Sequence, residues 1–198
     1  MYIPKPFEQQ DLEKSIAFMN AYNFAIIVST QNEIPIATHL PFIVEEKNSE
    51  ILLLSHISKA NPQWNTFIDK EVLVIFSEPH AYISPSLYEH TQNVPTWNYL
   101  AVHAYGKIKL AETEEKKMEI LLKQMHSFEE SYLKQFNSLD KKYVADLMSG
   151  IVAFEITVTD LQSKAKLSQN KSHKDRQTIK EHLINSNDSA KSDVGKYM

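Results

Sequence analysis

The sequence predicts an α+β protein, mainly β, folded as an antiparallel barrel with peripheral helices. Three observations predict it: roughly six or seven short apolar runs in hairpin order, no alternating βαβ pattern, and helical periodicity confined to stretches near the two ends. With 198 residues, 42% hydrophobic and 23% charged, the chain can bury one sizeable core. Residues 1–185 are expected to form a single domain, and 186–198 a flexible C-terminal tail.

Asp11, followed by Leu12, Ile16, Ala17 and Met19 at helical spacing, predicts a capped amphipathic helix. The β-branched run 23–30 predicts a buried strand, 31–34 a turn, and 35–44 a second strand in which Pro41, lacking an N–H, marks an edge or bulge. After a polar turn at 45–50, residues 51–57 form a third strand. Asn61 and Pro62 are a good N-cap and first helical residue. Residues 71–77 and 81–84 predict further strands, and 97–110 a long one with Gly106 as a bulge or bend. Thr113, with Glu114 and Glu115 in the first turn, starts a helix. A second helix, 140–148, ends at Gly150. Residues 151–158 alternate as a strand, and Ser172 with Asp175 forms a capping box that opens a last helix.

The apolar runs are far too short to span a bilayer as helices. The first residues lack a basic segment followed by an apolar stretch, so a cytoplasmic location is expected. Without cysteine there is no disulfide, thiolate nucleophile or cysteine metal site. Gly106, Gly150 and Gly195 are the only glycines, each isolated. Neither a dinucleotide fingerprint nor a Walker loop can be written from them, so a bound phosphate has to be held by side chains and a helix start. The net charge of −4 argues against a broad nucleic-acid footprint, although from Lys164 onward eight basic residues face four acidic ones. DNA is therefore weakly supported as a partner, and a membrane is not expected.

Two constellations carry chemistry. The junction 55–64 brings His56, Ser58, Lys59, Asn61 and Gln63 together at a helix start, a set suited to an anionic ligand. On the strand from Trp97, alternation puts Trp97, Tyr99, Ala101, His103 and Tyr105 on one face and Asn98, Leu100 and Val102 on the other. The aromatic face suits a heteroaromatic ring, although such a stripe is more often core or dimer interface. None of the histidines falls in a metal-binding spacing, and no metal is expected.

Met1 to Pro4, Ala37 to Pro41, His56 with Ala60 to Trp64, Pro79 to Ser86, Val94 to Tyr99 and Lys166 to Asn170 together resemble the PaiB family of FMN-binding negative transcriptional regulators. The resemblance runs in order to about residue 185. It implies a homodimeric FMN-binding split barrel similar to pyridoxamine phosphate oxidases, with flavin at the subunit interface and a role in repressing protease production and sporulation. It further implies that Ser58 and Lys59 hold the FMN phosphate, while Trp97 and Asn98, with Lys166, Ser168 and Gln169, flank the flavin. An FMN-dependent oxidoreductase or a haem-handling enzyme of the same barrel is the alternative, with His103 or His56 donating to the flavin or ligating haem.

Overall fold

The computed structural model describes residues 1–68 and 70–198. The strands are β1 (Phe24–Gln31), β2 (Ile34–Pro41), β3 (Ile43–Lys47), β4 (Glu50–Ser58), β5 (Glu71–Phe76), β6 (His80–Ile83), β7 (Thr96–Leu110) and β8 (Ile151–Lys166). The helices are α1 (Leu12–Ala21), α2 (Glu114–Glu129), α3 (Tyr132–Phe136), α4 (Lys141–Ser149), α5 (His173–Ile184) and α6 (Ser189–Lys196). The strands follow the order β2-β1-β5-β7-β8-β4-β3, and β6 pairs with β7. Each described pairing is antiparallel, as the hairpin order predicts.

The described chain resolves into two compact units interleaved along the sequence and sharing the long strands β7 and β8. The first unit comprises Met1–Ala17, Ser77–His103 and Gln162–Met198; the second comprises Phe18–Phe76 and Ala104–Leu161.

The second unit is built on the hairpin β1–β2, in register from Phe24↔Pro41 to Gln31↔Ile34. Its turn residues Asn32 and Glu33 both have positive φ, at 50° and 66°. Pro41 ends β2, and Phe42 separates it from β3, the break expected where a residue cannot donate to the ladder. Four buried phenylalanines form the centre: Phe42 packs edge-on to Phe76 and Phe154 at 6.0 and 6.4 Å, and Phe67 meets Phe154 at 5.3 Å. The expected caps form, with Thr113 accepting from Lys116 N at 3.2 Å and Asp140 from Tyr143 N at 3.0 Å.

In the first unit β6 and β7 form a hairpin with His80 opposite Tyr99 and Tyr82 opposite Trp97. The capping box closes only by half. Ser172 accepts from Asp175 N at 3.1 Å, but the Asp175 carboxylate turns away to accept from Glu89 N at 2.8 Å. That backbone donor is the main reason its acidity is raised, its pKa being held below the ordinary value. Residues 186–198, expected as a flexible tail, instead carry α6, capped by Asp188 accepting from Ala190 N at 3.0 Å. Val194 is fully buried. A side chain at Gly195 would come within 2.9 Å of Ile184 N, so glycine permits this packing.

Gly106, expected as a bulge or bend, lies inside β7, which continues on both sides of it. A Cβ there would lie 2.5 Å from both the Thr157 carbonyl oxygen and Ile156 Cγ2, so its role is to let the β8 backbone approach. Gly106→Ala is expected to destabilise by about 1–3 kcal/mol, the usual scale of overpacking, measurable as a lower urea midpoint at unchanged m.

Candidate functional site

In the second unit, β4 leads through Lys59 and Ala60 into a single 3₁₀ turn, Pro62–Thr66. Asn61 accepts from Gln63 N at 3.0 Å and donates to Thr38 Oγ1 at 2.9 Å. Gln63, only 2% exposed, is the hub. Its Nε2 donates to Ile27 O (3.2 Å), Ser29 Oγ (3.1 Å) and Ile36 O (3.2 Å), while its Oε1 accepts from Thr38 Oγ1. One carboxamide thus fastens the turn to β1 and β2. Thr66 Oγ1 adds a bond to Ser29 Oγ at 2.7 Å.

The turn's own N–H groups are committed. Lys59 N donates to Gly150 O at 2.8 Å, Asn61 N to Ser58 O at 2.9 Å, Ala60 N to Ser58 Oγ at 3.3 Å and Gln63 N to Asn61. The helix start expected as an anion cradle is therefore a self-satisfied 3₁₀ turn, and Asn61 and Gln63 have their polar atoms engaged in fixing it. His56 Nδ1 bonds Gln124 Oε1 of α2 at 2.7 Å. What remains on the surface is the exposed Ser58 and Lys59. Lys59 enters no ion pair among the described residues, and its carbonyl accepts from Trp64 Nε1 at 3.0 Å.

The first unit holds the rest of the predicted set. The aromatic face of β7 is partly open. Trp97 is 52% exposed, and its ring lies 5.8 Å from both His80 and Tyr82 of β6. Strand register alone could have added those two residues to the expected set. Asn98 and Ser168 are fully or almost fully buried and bond each other twice, at 3.0 and 3.1 Å, with Ser168 at a φ of 59°. Gln169 folds back, its Oε1 accepting from Leu167 N at 2.7 Å and its Nε2 donating to Ala165 O. These three shape the end of β8. Lys166 donates to Thr96 Oγ1 and to Trp97 O at 2.8 Å. Burial, reinforced by the charge of Lys164, lowers its pKa against an opposing effect of Tyr99. Lys164 was not among the sequence candidates, although it shares the strand parity of Lys166. Extending the alternation of β8 beyond Val158 would have found it.

His103 Nδ1 is buried and has no hydrogen-bond partner. Burial, and secondarily the positive amino terminus, pushes its pKa below the ordinary 6.5. An orphaned ring nitrogen and an exposed indole on one strand are features that a planar heteroaromatic ligand accommodates.

A family model described as "Putative FMN-binding domain" matches residues 1–160. The chain belongs to that family. The "Protease synthase and sporulation protein PAI 2" of Bacillus subtilis is 40% identical over 188 residues, covering 93% of this chain and 90% of that protein. Among solved structures, the flavocytochrome Anf3 from Azotobacter vinelandii superposes with a TM-score of 0.66 at 16% identity, covering 85% of this chain and 74% of that one. A FAD- and haem-binding protein from Mycobacterium smegmatis gives 0.62 at 12% identity, over 80% and 73%. The expected α+β, mainly antiparallel fold of split-barrel flavoproteins is the one observed, and flavin is the cofactor that family membership supports. No helix among the described residues is long and apolar enough to cross a membrane.

Two expectations follow from this geometry. Gln63→Ala removes a donor from the Ile27 and Ile36 carbonyls, while Thr38 keeps Asn61 and Ser29 keeps Thr66, and should cost about 1–3 kcal/mol, the scale for unsatisfied buried polar groups; a neutral urea denaturation curve would contradict the hub. His103 binds its proton more weakly folded than unfolded, so its contribution to stability is complete above about pH 6.5 and is lost as the pH falls toward its lowered folded value. Across about pH 5 to 7, the stability of His103→Gln should therefore depend less steeply on pH than that of the parent chain.

Proposed function

We propose that this protein is an FMN-binding regulator in which the Ser58–Lys59 turn holds the flavin phosphate. The observation that carries the phosphate assignment is an exposed, unpaired ammonium on a turn made rigid by the Gln63 carboxamide. The backbone that carries the lysine is already fixed, so only its side chain has to be ordered when it meets a phosphate, and the Ser58 hydroxyl beside it can donate as well. Lysine supplies a point charge to phosphate without a glycine-rich loop, in keeping with only three glycines. Separately, the open Trp97 shelf with His80 and Tyr82 is a surface suited to a flat ring or to a second copy of the chain. A homodimer with flavin at the interface is the assembly that the family resemblance implies.

The regulatory part of the proposal is supported by 40% identity to the Bacillus sporulation protein across nearly the whole of both chains. Direct DNA contact has less physical support. Of the basic residues after Lys164, Lys174 pairs with Glu89 at 2.6 Å, Lys191 with Asp188 at 3.6 Å and Lys196 with Asp193 at 2.6 Å. Paired cations release fewer counterions from a phosphate backbone.

FMN titration followed by flavin fluorescence tests the phosphate assignment. Lys59→Ala is expected to weaken binding by about 1.5–3 kcal/mol, the scale for a hydrogen bond to a charged group; unchanged affinity overturns it. Specific, salt-resistant binding to a promoter fragment, altered by flavin reduction, is the result expected of a regulator. NAD(P)H turnover by the holoprotein without such binding would replace that reading with the oxidoreductase alternative.

A further inference from the structure

We propose that Lys164, Lys166 and Tyr99 of the first unit form a subsite for a compact oxyanion, a phosphate monoester or carboxylate carried by a small-molecule ligand. Lys164 and Lys166 are two apart on β8 and so share a face. Lys164 is 8% exposed. Its ammonium donates to Tyr2 O at 3.2 Å and lies 5.0 Å from the Tyr99 ring centroid and 5.9 Å from that of Tyr2. Lys166 donates to Thr96 Oγ1 and Trp97 O. Each ammonium carries three donors, which leaves two protons on Lys164 and one on Lys166 unspent.

Among the described residues neither lysine forms an ion pair. Glu8 stands opposite Lys164 across an isolated bridge, yet its carboxylate accepts from Gln10 Nε2 at 3.0 Å. Burying one ammonium without a counter-ion is unfavourable, and setting a second beside it more so. The Tyr99 ring and neutral oxygens offset part of that cost. The missing negative charge is what a bound oxyanion supplies. Two point-like cations with spare donors beside an aromatic wall fit an anionic group attached to a small organic body.

The test uses the full chain and two probes, inorganic phosphate and acetate, titrated by calorimetry into the parent protein, Lys164→Met and Lys166→Met. At least one probe should bind the parent saturably, and each substitution should weaken that binding about tenfold or more. Without ligand, Lys164→Met should melt at or above the parent temperature, because an apolar side chain of similar length replaces a buried unpaired charge; this separates a lost site from a lost fold. Only the flavin arm rests on the function proposed above. If the lysine variants lose FMN affinity but keep riboflavin affinity, the oxyanion is the flavin's own phosphate; if FMN binding is unchanged while probe binding is lost, it belongs to another ligand. Either result supports the subsite. No saturable binding of either probe to the parent, or equal affinity in all three proteins, overturns it. Failure of FMN and riboflavin alike would instead count against the flavin reading and leave the phosphate and acetate arms readable.

Discussion

The second unit depends on the buried carboxamide of Gln63. One side chain bonds carbonyls and hydroxyls of both β1 and β2 and so holds the turn that follows β4. A buried polar group of this kind is worth its desolvation only when its partners are in place. It therefore specifies one arrangement of turn and hairpin where an apolar side chain would tolerate several. Ser58 and Lys59 sit between two anchors: Ser58 pairs with Ile151 of β8 and Lys59 N donates to Gly150 O, while the turn that follows is held by Gln63.

A chain with three glycines cannot wrap bare backbone around a phosphate, and here the N–H groups of the turn are spent on the turn itself. Positive charge in the two units sits on lysine side chains, in two different states. Lys59 keeps its hydration on the surface. Lys164 and Lys166 are partly or wholly withdrawn from water and held against aromatic rings and carbonyls. The first arrangement costs the fold little, whereas the second stores unfavourable charge that the rest of the first unit must support.

Much of the secondary structure was legible because its signals are local. Asp11 accepts from Lys14 N at 3.1 Å as the start of α1 requires, and the caps Thr113, Asp140 and Ser172 each bond the residue three positions on. Features set by distant partners were not legible. The spacing Ser172-x-x-Asp175 cannot reveal that Glu89 N will claim the carboxylate. Gln63 reads as a possible ligand because nothing nearby announces its four partners on two strands. The residues after Asn185 look frayed by composition, yet Asp188 and Val194 suffice for a packed helix once α5 is there to receive it. Lys164 was missed for a different reason: β8 continues eight residues past Val158, into a stretch whose polar residues hide its alternation.

The two tryptophans fall one in each unit, Trp64 on the 3₁₀ turn with its indole N–H bonded to a carbonyl, and Trp97 open to water on β7. Because indole emission shifts to longer wavelength as its surroundings become wetter, the molecule carries a pair of optical reporters of contrasting colour. With each silenced in turn by substitution to phenylalanine, the melting of one half of the protein can be watched independently of the other.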